Sequence, residues 1–251
     1  FGNHGSVDFW VLKLDSIGGI EWKKTYGGSS AEQPYSIRQT SDGGYVVAGY
    51  THSNNWDVSG NHGYYDAWLL KLNSDGDIQW QKCLGGSSWE DASDVEQTSD
   101  GGYILVGRSQ SIDGDVSVNQ GGLDYWIIKL DSDGILQWQK SYGGNMDDIA
   151  YAVKQTADGG YIVAGESSSN NGNVSGNHGS SDYWVLKLNY EGKIEWQKSL
   201  GGTSIDRAND ILQSEDGGYV VFGQTSSFNG DVTGHHGGYD FWVVKLSLSG
   251  D

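Results

Sequence analysis

Carboxylates recur along this chain at intervals that suit oxygen ligation. Asp8, Asp66, Asp124, Asp182 and Asp240 each open an Asp-x-Trp segment, and Asp57, Asp115 and Asp231 lie nine residues ahead of Asp66, Asp124 and Asp240 in glycine-rich stretches such as DVSGNHGYYD. Calcium takes about six to eight oxygen ligands. Asp57, Asp66, Asp115, Asp124, Asp231 and Asp240 are therefore the candidate metal residues and Ca²⁺ the candidate ion, with no other cofactor required. The spacing is not that of an EF-hand and the bidentate Glu is missing. The competing expectation is that these side chains cap backbone groups in turns. His4, His62, His178 and His236 also recur, with Gln120 in the remaining slot. Zinc needs several nitrogen or sulfur ligands converging on one point, and a slot that accepts Gln fits a hydrogen-bonding loop residue better.

Two further series carry charge. Glu32, Glu90, Asp148 and Asp206 form one, and Lys13, Lys71, Lys129, Lys187 and Lys245 the other. A glycosidase needs one differentiated pair of carboxylates, whereas repetition differentiates nothing. The expectation is a ladder of ion pairs between neighbouring sheets. Phosphate loops, nucleophile elbows and zinc signatures are absent, and the chain reads as a non-enzyme. Cys83 stands where other repeats have Thr25, Ser141 and Ser199, as a small filler.

The places where the repeats disagree carry a different signal. The residue after one strand-ending glycine is Tyr50, Arg108, Glu166 or Gln224; the residue before the Glu/Asp series is Ala31, Trp89, Asp147 or Ile205; and Trp56 stands where other copies have Gly114, Gly172 and Gly230. Positions shared by all repeats answer to packing, and divergent ones can answer to a partner. Aromatics and Arg dominate binding hot spots. Tyr50, Trp56, Trp89 and Arg108 are the candidate ligand-binding residues, against the alternative of neutral drift.

The elements that must position these residues follow from the repeat itself. DFWVLKL from Asp8, DAWLLKL, DYWIIKL, DYWVLKL and DFWVVKL recur every 58 residues without insertion. Each period holds four strand-like runs. The Trp run, such as Asp124 to Leu130, is apolar on both faces and reads as sandwiched between sheets. A second run (from Ile135) follows an Asp-Gly hairpin signal. A third (from Ala150) places Tyr151, Val153 and Gln155 on one face, with Gln39, Gln97, Gln155 and Gln213 expected to bond neighbouring backbone. A fourth (from Tyr161), after a DGG turn, ends in small residues suited to a crowded position near an axis. A polar loop of fixed length leads back to the next Trp run and is expected to be ordered.

Four antiparallel strands per fixed period predict an all-β chain and a β-propeller of 58-residue four-stranded blades, four complete repeats plus a partial fifth. The repeats are 8–65, 66–123, 124–181, 182–239 and 240–251 of a single domain, residues 1–251. A β-solenoid is the rival. The spare Trp run leaves three arrangements open: closure of a four-bladed ring by both chain ends, a fragment of a larger ring, or pairing with a neighbouring molecule.

KLNSDGDIQWQK resembles the repeat of quinoprotein-type propellers and DGGYIVAGES the kelch repeat; across the chain the strings are similar to secreted, repeat-rich propeller proteins of bacteria and archaea. That resemblance implies an extracellular or cell-surface setting. A start at Phe1 suggests a mature product or a piece of a longer parent. With 40 Gly, 15 Tyr, 11 Trp and one Pro, composition agrees with an all-β chain. A net charge of −18 disfavours nucleic acid as a partner, no apolar run reaches the ~20 residues of a membrane span, and one Cys permits no internal disulfide. The expected function is a structural or self-assembly module, partnered by protein through its spare terminal strand; the alternative is an adhesion module for glycans or proteins.

Overall fold

The computed structural model describes residues 2–251, and these form strands, turns and loops without a helix. β1 (Phe9–Leu14) and β2 (Ile20–Tyr26) make a two-stranded sheet. Three four-stranded antiparallel sheets follow. The first holds β3 (Glu32–Gln39), β4 (Tyr45–Thr51), β5 (Asp66–Leu72) and β6 (Ile78–Leu84); the second β7 (Glu90–Gln97), β8 (Tyr103–Ser109), β9 (Asp124–Leu130) and β10 (Leu136–Tyr142); the third β11 (Asp148–Gln155), β12 (Tyr161–Ser167), β13 (Asp182–Leu188) and β14 (Ile194–Leu200). β15 (Asp206–Gln213), β16 (Tyr219–Thr225) and β17 (Asp240–Leu246) form a last, three-stranded sheet. Strands are hydrogen-bonded in chain order within each sheet, and the first and last sheets are not joined to each other.

The sheets are out of phase with the sequence repeat. Each takes the third and fourth runs of one period and the Trp and second runs of the next, so three complete sheets result rather than four. The reason is hydrogen-bonding geometry: the fixed-length loop returns the Trp run antiparallel to the fourth run, as in Gly49↔Trp68 and Gly107↔Trp126. That loop is ordered by a buried valine in every copy, Val58, Val116, Val174 and Val232.

Packing between consecutive sheets repeats with little change. Ala48, Ala67 and Leu69 of one sheet meet Val95, Leu105, Trp126 and Ile128 of the next. The aromatic second residue of a Trp run lies on the following sheet's Trp: Phe9 on Trp68, Tyr125 on Trp184 and Tyr183 on Trp242, with ring centroids 4.7, 4.6 and 4.7 Å apart. At the opposite edge from β3, β7, β11 and β15, the glycine of the Asp-Gly-type turn lies against the preceding sheet's Trp, as Gly76 does on Trp22 and Gly134 on Trp80. Burial of one such ring contributes about 2–3 kcal/mol, added to the aliphatic packing between the same sheets. Cys83 is buried in this layer, and burial pushes its thiol up.

It is the third-run strands β3, β7, β11 and β15 that abut one another, along one edge of the stacked sheets; the fourth run is the second strand in. Its small residues have another cause. A Cβ on Gly49, Gly107, Gly165 or Gly223 would stand 1.9–2.0 Å from the carbonyl oxygen of Gln33, Asp91, Ile149 or Arg207. These glycines let the third-run strand kink against its neighbour.

Candidate functional site

That kink is a β-bulge, and it sits at one position in all four third-run strands. The pairing register slips between Pro34 and Ser36, Ala92 and Asp94, Ala150 and Ala152, and Ala208 and Asp210. The extra residue is Tyr35, Ser93, Tyr151 or Asn209. A bulge re-aims a side chain out of the alternation, which is why Tyr151 does not share a face with the fully buried Val153 as strict alternation predicts. All four bulge residues line one cavity of about 380 Å³, with Asp91, Arg108 and Ile149.

Two ion pairs frame the cavity. Arg108 Nε donates to Asp91 Oδ2 at 2.8 Å while its guanidinium lies 5.1 Å from the Trp89 ring centre. Arg207 donates to Glu166 Oε1 at 2.9–3.0 Å, the Tyr151 hydroxyl donates to the same oxygen at 2.8 Å, and the Arg207 guanidinium lies 5.3 Å from the Tyr151 ring. Asp91 and Glu166 are buried. Burial pushes the Asp91 carboxyl up against the opposing pull of Arg108, and burial with the charge of Asp91 raises the Tyr35 phenol to about 12. An aromatic chain runs outward from Tyr35 through Tyr50 and Tyr65 to Trp89, with centroids 5.8, 4.9 and 5.3 Å apart.

Of the residues singled out from divergence, Tyr50, Trp89 and Arg108 thus converge. Trp56 does not join them. It sits in the long loop with φ of 59°, where the aligned glycines have φ of 64–70°, and meets His4 edge-on at 4.7 Å. Sequence reasoning missed Tyr35, Asp91, Ser93, Ile149, Tyr151 and Asn209. The repeats differ at these positions too, but only the bulge shows that they face a common space.

The recurring acids lie at the joints between sheets. Asp66 Oδ2 accepts the His62 backbone N–H at 3.0 Å and faces its Nδ1 at 2.7 Å; Asp182 and His178 repeat this at 2.9 and 2.6 Å. Asp124 Oδ2 accepts the Gln120 N–H at 2.7 Å and Asp240 Oδ2 that of His236 at 2.6 Å. Asp57, Asp115 and Asp231 accept the backbone N–H of Gly27, Gly85 and Gly201 at 3.1–3.2 Å. Among the described residues no group of three or more His, Cys, Asp or Glu side chains is placed to hold a metal. The Oδ2 atoms of all six residues named for calcium accept backbone N–H groups in these caps. The Oδ1 atoms of Asp8, Asp66, Asp124 and Asp182 are buried without a hydrogen-bond partner. Beside them stand Glu32, Glu90, Asp148 and Asp206, as Asp66 and Glu90 flank Gly85. Burial first, and the Asp148 charge after it, pushes Asp124 up to about 6.

His4 and His178 also approach the next repeat's loop carboxylate, Asp57 and Asp231, each at 4.0 Å. Where the histidine slot holds Gln120, the carboxylate slot holds Asn173, and the two amides hydrogen-bond. An imidazole facing a carboxylate is exchanged for a pair of amides at both ends together.

The lysines take other partners than expected. Lys71, Lys129, Lys187 and Lys245 pair with Asp42, Asp100, Asp158 and Asp216 at 2.6–2.9 Å. These are the DGG-turn aspartates of the lysine's own sheet. The Glu32 series instead accepts backbone and hydroxyl groups, as Glu90 does from Gly86 and Ser111 N–H and the Ser109 hydroxyl at 2.8–3.0 Å. A short strand-to-turn reach within a sheet wins over the longer reach between sheets. The glutamines do bridge sheets: Gln97, Gln155 and Gln213 accept the N–H of Ser41, Ser99 and Ala157 at 2.8–2.9 Å.

No family model matches the chain. Over 162 residues, 59% of this chain, it is 28% identical to the regulatory protein FlaEY of Caulobacter vibrioides, and it spans 17% of that protein's length. A solved protein of unknown function from Bacteroides caccae superposes with a TM-score of 0.40 at 12% identity, over 98% of this chain and 92% of that one. No helix among the described residues is long and apolar enough to cross a membrane.

Proposed function

We propose that this chain is a structural assembly module, a run of β-propeller-type blades whose two end faces take up further blades of the same kind, supplied by a second copy of the chain. The observation that carries this reading is a mismatch in exposure. Trp10, Leu12 and Leu14 are exposed on the N-terminal face, Trp10 at 61%, while the equivalent Trp68, Trp126 and Trp184 are buried between sheets. Phe241 (92% exposed) and Val243 are bare on the C-terminal face, where Tyr125, Ile127, Tyr183 and Val185 are fully buried. His236 is open to solvent, while its counterpart His178 faces Asp231. In the interior, these same positions form the aromatic joint. The contact is head to tail, so the two faces differ and complement each other. Burying Phe241 and Trp10 in such a joint contributes about 2–3 kcal/mol per ring. A secreted or cell-surface setting and the absence of a catalytic role belong to the same reading; they are supported by the resemblance and by the consumption of the recurring acids in caps.

Sedimentation velocity between about 1 μM and 1 mM, the range that reads about −8 to −4 kcal/mol, tests the joint. The wild type should associate with rising concentration. Trp10→Asp and Phe241→Asp should each stay monomeric alone and form a dimer when mixed, because each retains the face the other has lost. A wild type that is monomeric throughout, or single variants that associate like it, would refute the reading.

A further inference from the structure

Independently of assembly, we infer that the cavity at the edge formed by β3, β7, β11 and β15 binds a neutral, polyhydroxylated ligand with the bulk of a single sugar ring.

The first argument is construction. Four third-run strands carry a bulge at the same place. Four glycines, Gly49, Gly107, Gly165 and Gly223, are indispensable to it, because any Cβ there would collide with the bulged strand. The scaffold is therefore strictly repeated, while what it displays is not. The bulge residues are Tyr35, Ser93, Tyr151 and Asn209, and the side chains of the flanking positions are Asp91, Ile149 and Arg108. Packing alone would repeat these residues as faithfully as it repeats the glycines.

The second argument is charge. The one acid and one base that line the cavity, Asp91 and Arg108, are already paired, and behind Tyr151 Arg207 is paired with Glu166. An anionic ligand seeking Arg108 would have to strip a buried aspartate of its partner, and a cationic ligand seeking Asp91 would do the same to Arg108. Breaking a buried pair from one side is costly. A neutral ligand leaves both pairs intact and uses their remaining lone pairs and N–H groups.

The third argument is surface chemistry. Tyr35, half exposed, and Tyr151 bring aromatic rings to the cavity, and Ile149 adds an aliphatic side chain. Ser93 and Asn209 bring a hydroxyl and an amide, each able to donate and accept. Aromatic rings beside a few convergent polar groups, in about 380 Å³, match the composition and size of small-molecule sites. A pyranose has both kinds of surface, C–H faces for the tyrosines and hydroxyls for Ser93 and Asn209.

Ligand-observed NMR with the intact chain tests this, using the methyl glycosides of glucose, galactose and mannose and N-acetylglucosamine as neutral probes. Glucuronate and glucosamine serve as charged counterparts. At least one neutral probe should bind with a Kd of about 1 mM or tighter, and its charged relative at least tenfold more weakly. Tyr151→Ala should weaken binding tenfold or more. Ser93→Phe, which fills the cavity from a part-exposed position, should abolish it while circular dichroism and melting temperature stay those of the wild type. Phe241→Asp, remote from the cavity, should bind normally, which separates this result from the fate of the assembly reading. Silence of all neutral probes at about 10 mM, preference for the uronate, or binding unaffected by Ser93→Phe would overturn the inference.

Discussion

Asp124→Asn should make the protein more stable at neutral pH and change little at pH 4. Asp124 is fully buried, its Oδ2 accepts one backbone N–H and its Oδ1 accepts nothing, with the Asp148 carboxylate as neighbour. Desolvation and that like charge raise its pKa from 3.8 to about 6. The folded state thus holds this proton more tightly than the unfolded chain does. The ionised carboxylate costs nothing below the unfolded value and carries its full cost above the folded one, so stability falls as pH rises from about 4 to about 6. At 1.36 kcal/mol per pH unit the cost at pH 7 is about 3 kcal/mol, an order of magnitude that relaxation will reduce. Asparagine keeps the acceptor for Gln120 N–H and turns an amide donor toward Asp148. Urea unfolding followed by tryptophan fluorescence at pH 4 and pH 7 is the assay. The variant should gain about 1–3 kcal/mol at pH 7 and less than about 0.5 at pH 4. An equal loss at both pH values would mean that the carboxylate is held by something other than its strained burial, and would refute the reasoning.

Four other outcomes follow from the same geometry. Gly107→Ala drives a Cβ to 2.0 Å from the Asp91 carbonyl oxygen and should cost about 3 kcal/mol or more, read by denaturant midpoint, because backbone must move at a bulge. Trp56→Gly should not destabilise and should gain up to about 1 kcal/mol, since a φ of 59° strains any residue with a Cβ; a loss above about 1 kcal/mol would show that the His4 contact outweighs the strain. In a double-mutant cycle, His178→Gln and Asp231→Asn should each cost more than the two together, because Gln120 and Asn173 already form the amide version of this pair; additivity would argue against coupling across the joint. On the acid side, Asp100 and Asp158 lie at about 2, where hydrogen bonds from Thr98 and Lys129, and from Lys187 and Thr156, overcome the opposing effect of burial. Their contribution is present above about pH 4 and should fade as pH falls to 2, visible as lost slope in the acid limb for Lys129→Met.

Strand identity, hairpin placement and the ordered loop were legible in the one-dimensional pattern, because each rests on local chemistry. Asp-Gly and DGG mark turns through glycine's access to positive φ, as at Gly76 and Gly101, and the doubly apolar Trp run has to be sandwiched. That Tyr50, Trp56, Trp89 and Arg108 differ between otherwise matching repeats was also visible, since divergence within an exact repeat needs no coordinates. Three things waited for the tertiary structure. Sheet phase depends on which runs hydrogen-bond across a loop, and periodicity is blind to where a period is cut. Lysine pairing depends on reach, and Asp42 is nearer to Lys71 through the fold than the Glu32 series is. Above all, the bulges at Tyr35, Ser93, Tyr151 and Asn209 invert the inward and outward sense of residues that strict alternation assigns. A single extra residue against a glycine leaves no mark in composition or period, yet it decides which side chains share a cavity.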